Sequence, residues 1–117
     1  MGFNPEPSHR HGSVSKTAIV LANLGTPDVP TPAAVKVYLK QFLSDPRIVE
    51  IPRLIWWVIL NGIILTFRPK RSGEAYAKIW NRAANESPLK TITRAQAEGV
   101  AKAFAADPKV IVDWAMR

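Results

Sequence analysis

Hydrophobic and polar positions form blocks along the chain that predict one strand near each end and helices between them. Residues 17–24 (TAIVLANL) are a continuous apolar run with β-branched members, typical of a strand buried on both faces of a parallel sheet. Residues 110–114 (VIVDW) predict a second strand. The pattern therefore predicts an α/β unit in which two parallel strands are joined by a large helical crossover.

Cap signals predict where two of the helices begin. Thr31-Pro32 and Ser87-Pro88 each place a capping hydroxyl directly before a proline, which favours the first turn of a helix. Apolar residues at helical spacing follow both caps: Val35, Tyr38, Leu39 and Phe42 in the first helix, and Leu89, Ile92, Val100 and Phe104 in the second. The sequences Ser44-Asp45-Pro46 and Asp107-Pro108 are expected to end these helices.

The region between these two helices is predicted to hold two more. Pro52 is expected to open a helix that is apolar nearly all the way round. Ser72 resembles a further cap, followed by a short helix through Tyr76 and Trp80.

Composition narrows the possible functions. The 117 residues suit one domain, and the absence of cysteine excludes disulfides, thiolate metal sites and thiol nucleophiles and suits a reducing compartment. The formal charge of +7 favours an anionic partner. Nucleic acid is not the expected partner, because the cations are spread along the chain and the densest cluster adjoins a hydrophobic run.

The N-terminal residues 1–15 are predicted to be a flexible tail, since they are rich in Pro, Ser, Gly and His and contain no apolar core for a secretory signal. His9 and His11 lie in this tail without a nearby third ligand, so no metal site is predicted.

Residues 51–71 (IPRLIWWVILNGIILTFRPKR) are the most distinctive segment. They combine Trp56, Trp57 and many aliphatic residues with four cations, and no acidic residue lies between Glu50 and Glu74. The apolar run 54–67 is shorter than the roughly 20 residues that cross a bilayer. The segment could be core, a helix lying in a membrane interface, or a wall for an apolar macrocycle whose carboxylates meet arginine.

The residues by themselves contain no catalytic constellation. The acidic residues Asp45, Glu50, Glu74 and Glu86 are interpreted as cap and surface charges. Gly25-Thr26-Pro27 follows the first strand, where α/β proteins place ligand loops, although a plain turn is the alternative.

Motifs in a fixed order resemble the ferrochelatases, especially bacterial members. The resemblance extends from about residue 18 to residue 117, and its order and spacing are more specific than any one motif. The matching segments are ANLGTP (22–27), YLKQFLSD (38–45), IPR (51–53), NGII (61–64), RPKR (68–71), EAY (74–76), KIW (78–80) and SPL (87–89).

The resemblance implies the N-terminal part of a Rossmann-like chelatase domain, here residues 16–117, that inserts ferrous iron into protoporphyrin IX in heme synthesis. Iron and porphyrin are then substrates, and no resident cofactor is expected. Arg68 matches the arginine that meets a propionate, Tyr76 and Ser87 match porphyrin contacts, Leu24 faces the ring, and Arg71 is a second basic residue of the pocket. Residues 51–71 correspond to the hydrophobic lip, whose membrane-facing members are Leu54, Ile55, Trp56, Trp57, Ile63, Ile64 and Leu65.

The family's catalytic histidine and metal-binding acidic residue match positions beyond residue 117. The chain is therefore expected to be an N-terminal fragment without catalytic or metal-binding residues of its own, and inactive alone. The expected location is the cytoplasm, with peripheral contact with the inner membrane as an option. The alternative function is a membrane-surface interaction module that uses the basic, apolar segment 51–71. The choice between protoporphyrin and coproporphyrin and the oligomeric state stay open.

Overall fold

The computed structural model describes residues 7, 8 and 10–117, so part of the predicted tail, including His9, lies outside the described residues. The elements are β1 (Thr17–Asn23), α1 (Pro32–Leu43), α2 (Arg53–Ile59), a π-helical turn (Leu60–Ile64), α3 (Leu65–Ile79), α4 (Pro88–Ala103) and β2 (Val110–Met116). The predicted strand–helices–strand order is confirmed.

The two strands pair in parallel, with Thr17 opposite Val110 and Asn23 opposite Met116. A parallel pair needs a crossover, and all the helices of the described residues lie in it. The expectation that β1 is buried on both faces is wrong for this chain. Exposed and half-buried side chains alternate along β1, and Val20 is 56% exposed, because the described residues supply only one partner strand and α4 packs against β2.

Both cap-plus-proline predictions are confirmed. The Thr31 hydroxyl accepts a hydrogen bond from the backbone N–H of Ala34 at 3.3 Å and starts α1. The Ser87 hydroxyl accepts from the backbone N–H of Lys90 at 3.3 Å and starts α4. Each cap satisfies a donor that the first helical turn leaves without an intrahelical acceptor.

The predicted cap at Ser72 is wrong, because Ser72 lies in the middle of α3. Pro52 does precede α2, but the helix then continues through the π-helical turn into α3. The residues that face the core explain this continuity. Residues 56, 60, 65, 69 and 73 are buried or packed on the core, and their steps are four, five, four and four positions.

The π-helical turn accounts for the single step of five. The backbone N–H of Leu65 donates to the Leu60 carbonyl, five residues earlier, so one extra residue is accommodated without turning the buried row away from the core. Two side chains donate hydrogen bonds to backbone carbonyls at this turn. The Asn61 amide donates to the Trp57 carbonyl at 2.9 Å, and the Thr66 hydroxyl donates to the Asn61 carbonyl at 3.4 Å. The turn is therefore supported by side chains on both sides.

The core lies between α1 and the continuous α2–α3 helix. Val35, Leu39, Leu60 and Leu65 are buried there, and half-buried residues including Trp56 and Tyr76 pack against them. The helices approach closely at Gly73, where an added Cβ would lie 3.1 Å from the backbone nitrogen of Pro32.

Two predictions about α4 are wrong. The helix ends at Ala103, before Asp107-Pro108, because the backbone of Phe104 (φ −104°, ψ 11°) departs from helical geometry, and the Asp107 N–H closes a turn on the Phe104 carbonyl at 3.0 Å. Its buried positions are Thr93 and Ala97, whereas Ile92 is 54% exposed. The small side chains are the buried ones where α4 packs on the sheet, and Thr93 is hydrogen-bonded to Asn23 of β1. Ile92 and Phe104 are exposed.

Candidate functional site

The loop after β1 has a fixed geometry at the carboxyl edge of the sheet. Gly25 has a φ of +83°, and a Cβ on it would lie 2.4 Å from the backbone oxygen of Arg117, so only glycine fits. The Asn23 side chain accepts from the Gly25 N–H at 2.8 Å and donates to the Thr93 hydroxyl at 2.8 Å. The loop is thereby joined to α4.

Ser87 is held by the same loop. Its hydroxyl lies 2.8 Å from that of Thr26, and the residue is only 1% exposed. The segment before it is closed by a bridge in which Asn81 and Glu86 exchange backbone hydrogen bonds of 3.0 and 3.2 Å. Ser87 therefore connects the β1 loop with the N-terminus of α4, and its hydroxyl faces Thr26 in this structure.

The interpretation of Glu86 as a surface charge is wrong. It is 6% exposed, accepts from the Thr91 hydroxyl at 2.9 Å and forms an ion pair with Arg94. A buried carboxylate needs such partners to offset its lost hydration. The separation of eight positions between Glu86 and Arg94 could not reveal this ion pair, because the bonded groups are brought together by the fold of the segment before α4.

Tyr38 has a second role beside its predicted place on the apolar face of α1, because it also contacts the loop after β1. Its hydroxyl donates to the Gly25 carbonyl at 3.0 Å, and its ring stacks on Phe42 at 5.7 Å between centroids. Burial raises the pKa of the Tyr38 phenol, the neighbouring Tyr76 raises it further, and Arg117 acts in the opposite direction. Tyr38 thus lies between the loop that carries Leu24 and the core-packed Tyr76. Leu24 itself is exposed.

Arg68 and Arg71 line one groove of about 540 Å³ on α3. Its remaining lining residues are mostly apolar: Ile63, Ile64, Phe67, Ser72 and Ala75. Both arginines are exposed, and so is Phe67 at 72%. Tyr76 follows Arg68 by eight residues on the same helix, a separation of about 12 Å along the axis. The groove therefore places two guanidinium groups at the border of an apolar wall.

Ser87 lines a different, more polar pocket of about 330 Å³ that also includes Thr26, Trp80, Lys90, Trp114 and Arg117. This pocket and the arginine groove share no lining residue. The structure thus brings Arg68 together with Arg71. Tyr38 contacts the loop that carries Leu24 and packs on the same core as Tyr76, while Ser87 lies apart from them at the sheet edge.

Among the described residues, no group of three or more His, Asp or Glu side chains is arranged to hold a metal ion. The helices that the structure describes are all too short or too polar to cross a membrane.

Comparisons with known proteins decide the family. The family model described as Ferrochelatase matches residues 16–117. The chain belongs to the ferrochelatase family. This membership confirms the resemblance found in the sequence motifs, and the parallel strands with their helical crossover agree with part of an α/β chelatase domain.

Curated ferrochelatases from three bacteria illustrate the similarity. The protein of Aromatoleum aromaticum (strain DSM 19018 / LMG 30748 / EbN1) is 59% identical over 115 residues, covering 97% of this chain and 31% of the relative. That of Azoarcus sp. (strain BH72) is 56% identical over 115 residues, covering 98% and 31%. That of Brucella anthropi is 58% identical over 102 residues, covering 87% and 29%. The chain therefore spans about 31% of the length of the first two relatives. No solved structure matches it significantly.

Proposed function

We propose that this chain supplies porphyrin-binding residues of a ferrochelatase that inserts ferrous iron into protoporphyrin IX for heme synthesis. The observation that carries the proposal is the groove in which Arg68 and Arg71 border Ile63, Ile64 and Phe67. A porphyrin presents an apolar ring and two propionates, so aliphatic walls and guanidinium groups complement its two parts.

The roles of the other residues follow the family resemblance. Leu24 and Tyr76 contact the ring, and Ser87 contacts it from the edge of the sheet. Ser87 is buried, and its hydroxyl is hydrogen-bonded to that of Thr26. A porphyrin contact through the Ser87 hydroxyl therefore requires this hydrogen bond to break or to be shared. The residues 1–117 bind and orient porphyrin, and iron insertion requires the catalytic histidine and acidic residue that the resemblance places beyond them.

Titration of protoporphyrin IX against the purified chain tests this proposal through the quenching of tryptophan fluorescence. Loss of one charge-assisted contact in Arg68→Ala is expected to weaken binding about tenfold. Lys70→Ala is the matched control, since Lys70 is an exposed cation on the same helix that does not line the groove. Equal affinities of the two variants would remove the propionate role. The same preparation is expected to insert no iron.

A second candidate function, contact with a membrane surface, is favoured by the exposed part of the lip. The prediction that Trp56, Ile64 and Leu65 face a membrane is wrong, because Leu65 is buried in the core and Trp56 and Ile64 pack against it. Leu54 is 80% exposed and Trp57 is 64% exposed, and cations flank the segment at Arg53 and Lys70. Exposed aromatic and aliphatic residues between cations match the border between acyl chains and anionic headgroups. A cytoplasmic protein that touches the inner membrane through this lip would combine both functions. Co-flotation with anionic vesicles, and its absence with neutral ones, tests this contact.

A further inference from the structure

We propose that a separate pocket beside α2 receives one acyl chain of an anionic phospholipid; this inference rests on the membrane contact proposed above. The pocket has a volume of about 700 Å³, within the range of small-molecule sites. Of the residues assigned to porphyrin, none lines it, and it shares no lining residue with the arginine groove. The pocket is therefore distinct from the groove proposed to bind porphyrin.

The walls of this acyl pocket are mainly apolar. Seven of its ten lining residues are apolar, namely Pro46, Val49, Ile51, Pro52, Trp56, Trp57 and Leu60. The Trp56 indole is fixed because its Nε1–H donates to the Leu43 carbonyl at 2.6 Å, so this wall exists before any ligand arrives. With few polar groups on the walls, the pocket complements an alkyl chain, which forms no hydrogen bonds.

The surroundings of the pocket indicate a lipid as the source of that chain. Trp57 and Ile51 line the pocket and are also exposed, so the pocket is continuous with the exposed lip. Residues 47–71 contain five cations and one acid, Glu50. Arg53 lines the pocket and is exposed, which places a guanidinium group where a headgroup phosphate would lie above an inserted chain. Glu50 opposes this charge, but the cations outnumber it.

Vesicles with brominated acyl chains separate insertion from adsorption. Bromine quenches nearby tryptophan, and a background with Trp57→Phe, Trp80→Phe and Trp114→Phe leaves Trp56, in the pocket, as the one tryptophan of the chain. With phosphatidylglycerol vesicles we expect strong quenching in this background. Val49→Phe fills the pocket and is expected to lower both quenching and vesicle affinity about fivefold. Val58→Phe is the matched control, because Val58 is an exposed lip residue outside the pocket. This variant should lower neither the quenching nor the vesicle affinity.

Two further variants provide a second way to fill the pocket and a test of the headgroup contact. Ser44→Leu also occupies the pocket but lies at the exposed end of α1, so it reports on filling if Val49→Phe fails to fold by circular dichroism. Arg53→Gln should reduce the preference for phosphatidylglycerol over phosphatidylcholine about threefold, whereas Lys78→Gln, at an exposed cation outside the lip, should not.

The outcomes distinguish the two levels of the proposal. Flotation without quenching of Trp56, or with equal quenching after the pocket is filled, would overturn the acyl pocket and leave the membrane contact standing. Absence of flotation with phosphatidylglycerol vesicles would overturn both. Porphyrin binding through Arg68 is measured without lipid and is independent of either result.

Discussion

The edge of the sheet and the lip use their side chains in opposite ways. At the sheet edge, polar groups bind one another: Thr26 pairs with Ser87, Asn23 with Thr93, and Glu86 with Arg94. In the lip, Leu54, Trp57 and Phe67 are largely exposed, and the flanking cations Arg68 and Arg71 are exposed too. The first region is a fixed support, and the second presents surface that a porphyrin or a lipid would cover.

The largest effect on stability is expected from deleting a single residue of the continuous α2–α3 helix, which carries the lip. Deletion of Gly62 would leave Leu60 four positions before Leu65, so the buried row would stay in place and the helix would become regular. Deletion of Val58 would turn Trp56 by about 100° and break its bond to Leu43, at a cost of about 3 to 5 kcal/mol.

Urea denaturation of the two deletion variants measures this difference. The emission maximum reports on Trp56 when the deletions are made in the background that keeps Trp56 as the one tryptophan. We expect a small change for the Gly62 deletion and a large loss for the Val58 deletion. Similar losses in both would mean that the π-helical turn does not set the direction of α2.

A backbone change at the sheet edge comes next in size. Gly25→Ala forces a Cβ against the Arg117 backbone at a positive φ and is expected to destabilise the chain by about 3 kcal/mol. The matched control is Gly62→Ala, because a Cβ there meets no atom within 4 Å. If thermal unfolding places both variants at the same midpoint, the close approach at Gly25 is not restrictive.

Removing the Ser87 hydroxyl should have an intermediate effect. Ser87→Ala removes a helix cap and leaves Thr26 without its partner, a loss of about 1 to 2 kcal/mol. A double-mutant cycle with Thr26→Val isolates the pair, with an expected coupling of about 1 kcal/mol. Additive effects of the two substitutions in urea denaturation would argue against the pairing.

The smallest expected effect is a dependence of stability on acid pH at the end of α1. The pKa of Asp45 is lowered chiefly by the backbone N–H of Arg47, at 2.8 Å, and also by Arg117, whose guanidinium lies 2.8 Å from the carboxylate. Because the pKa of Asp45 is lower in the folded than in the unfolded chain, its ionised carboxylate stabilises the fold. This stabilisation is fully present above the ordinary aspartate pKa of about 4 and is lost as pH falls through the pKa of Asp45 in the folded chain. Asp45→Asn should flatten the stability profile below pH ~4, and an unchanged slope would contradict the contact.

Features with local causes were predictable from the sequence. Thr31-Pro32 and Ser87-Pro88 marked their helices because a cap acts on backbone groups only a few residues away. The order of motifs identified the family, and the family resemblance named Arg68 and Arg71, which line the same groove.

The tertiary structure decided the features that depend on distant partners. Ser72 became helix interior because α3 continues the row that packs on α1, and Glu86 became buried because Thr91 and Arg94 meet it. The burial of α4 was decided by its close packing on β2, which favours Thr93 and Ala97 over larger residues. The sequence by itself thus determined where α1 and α4 start, because those cap signals are short-range, and the order of its motifs determined the family. Only folding decided which side chains are covered, because burial depends on residues far apart in the chain.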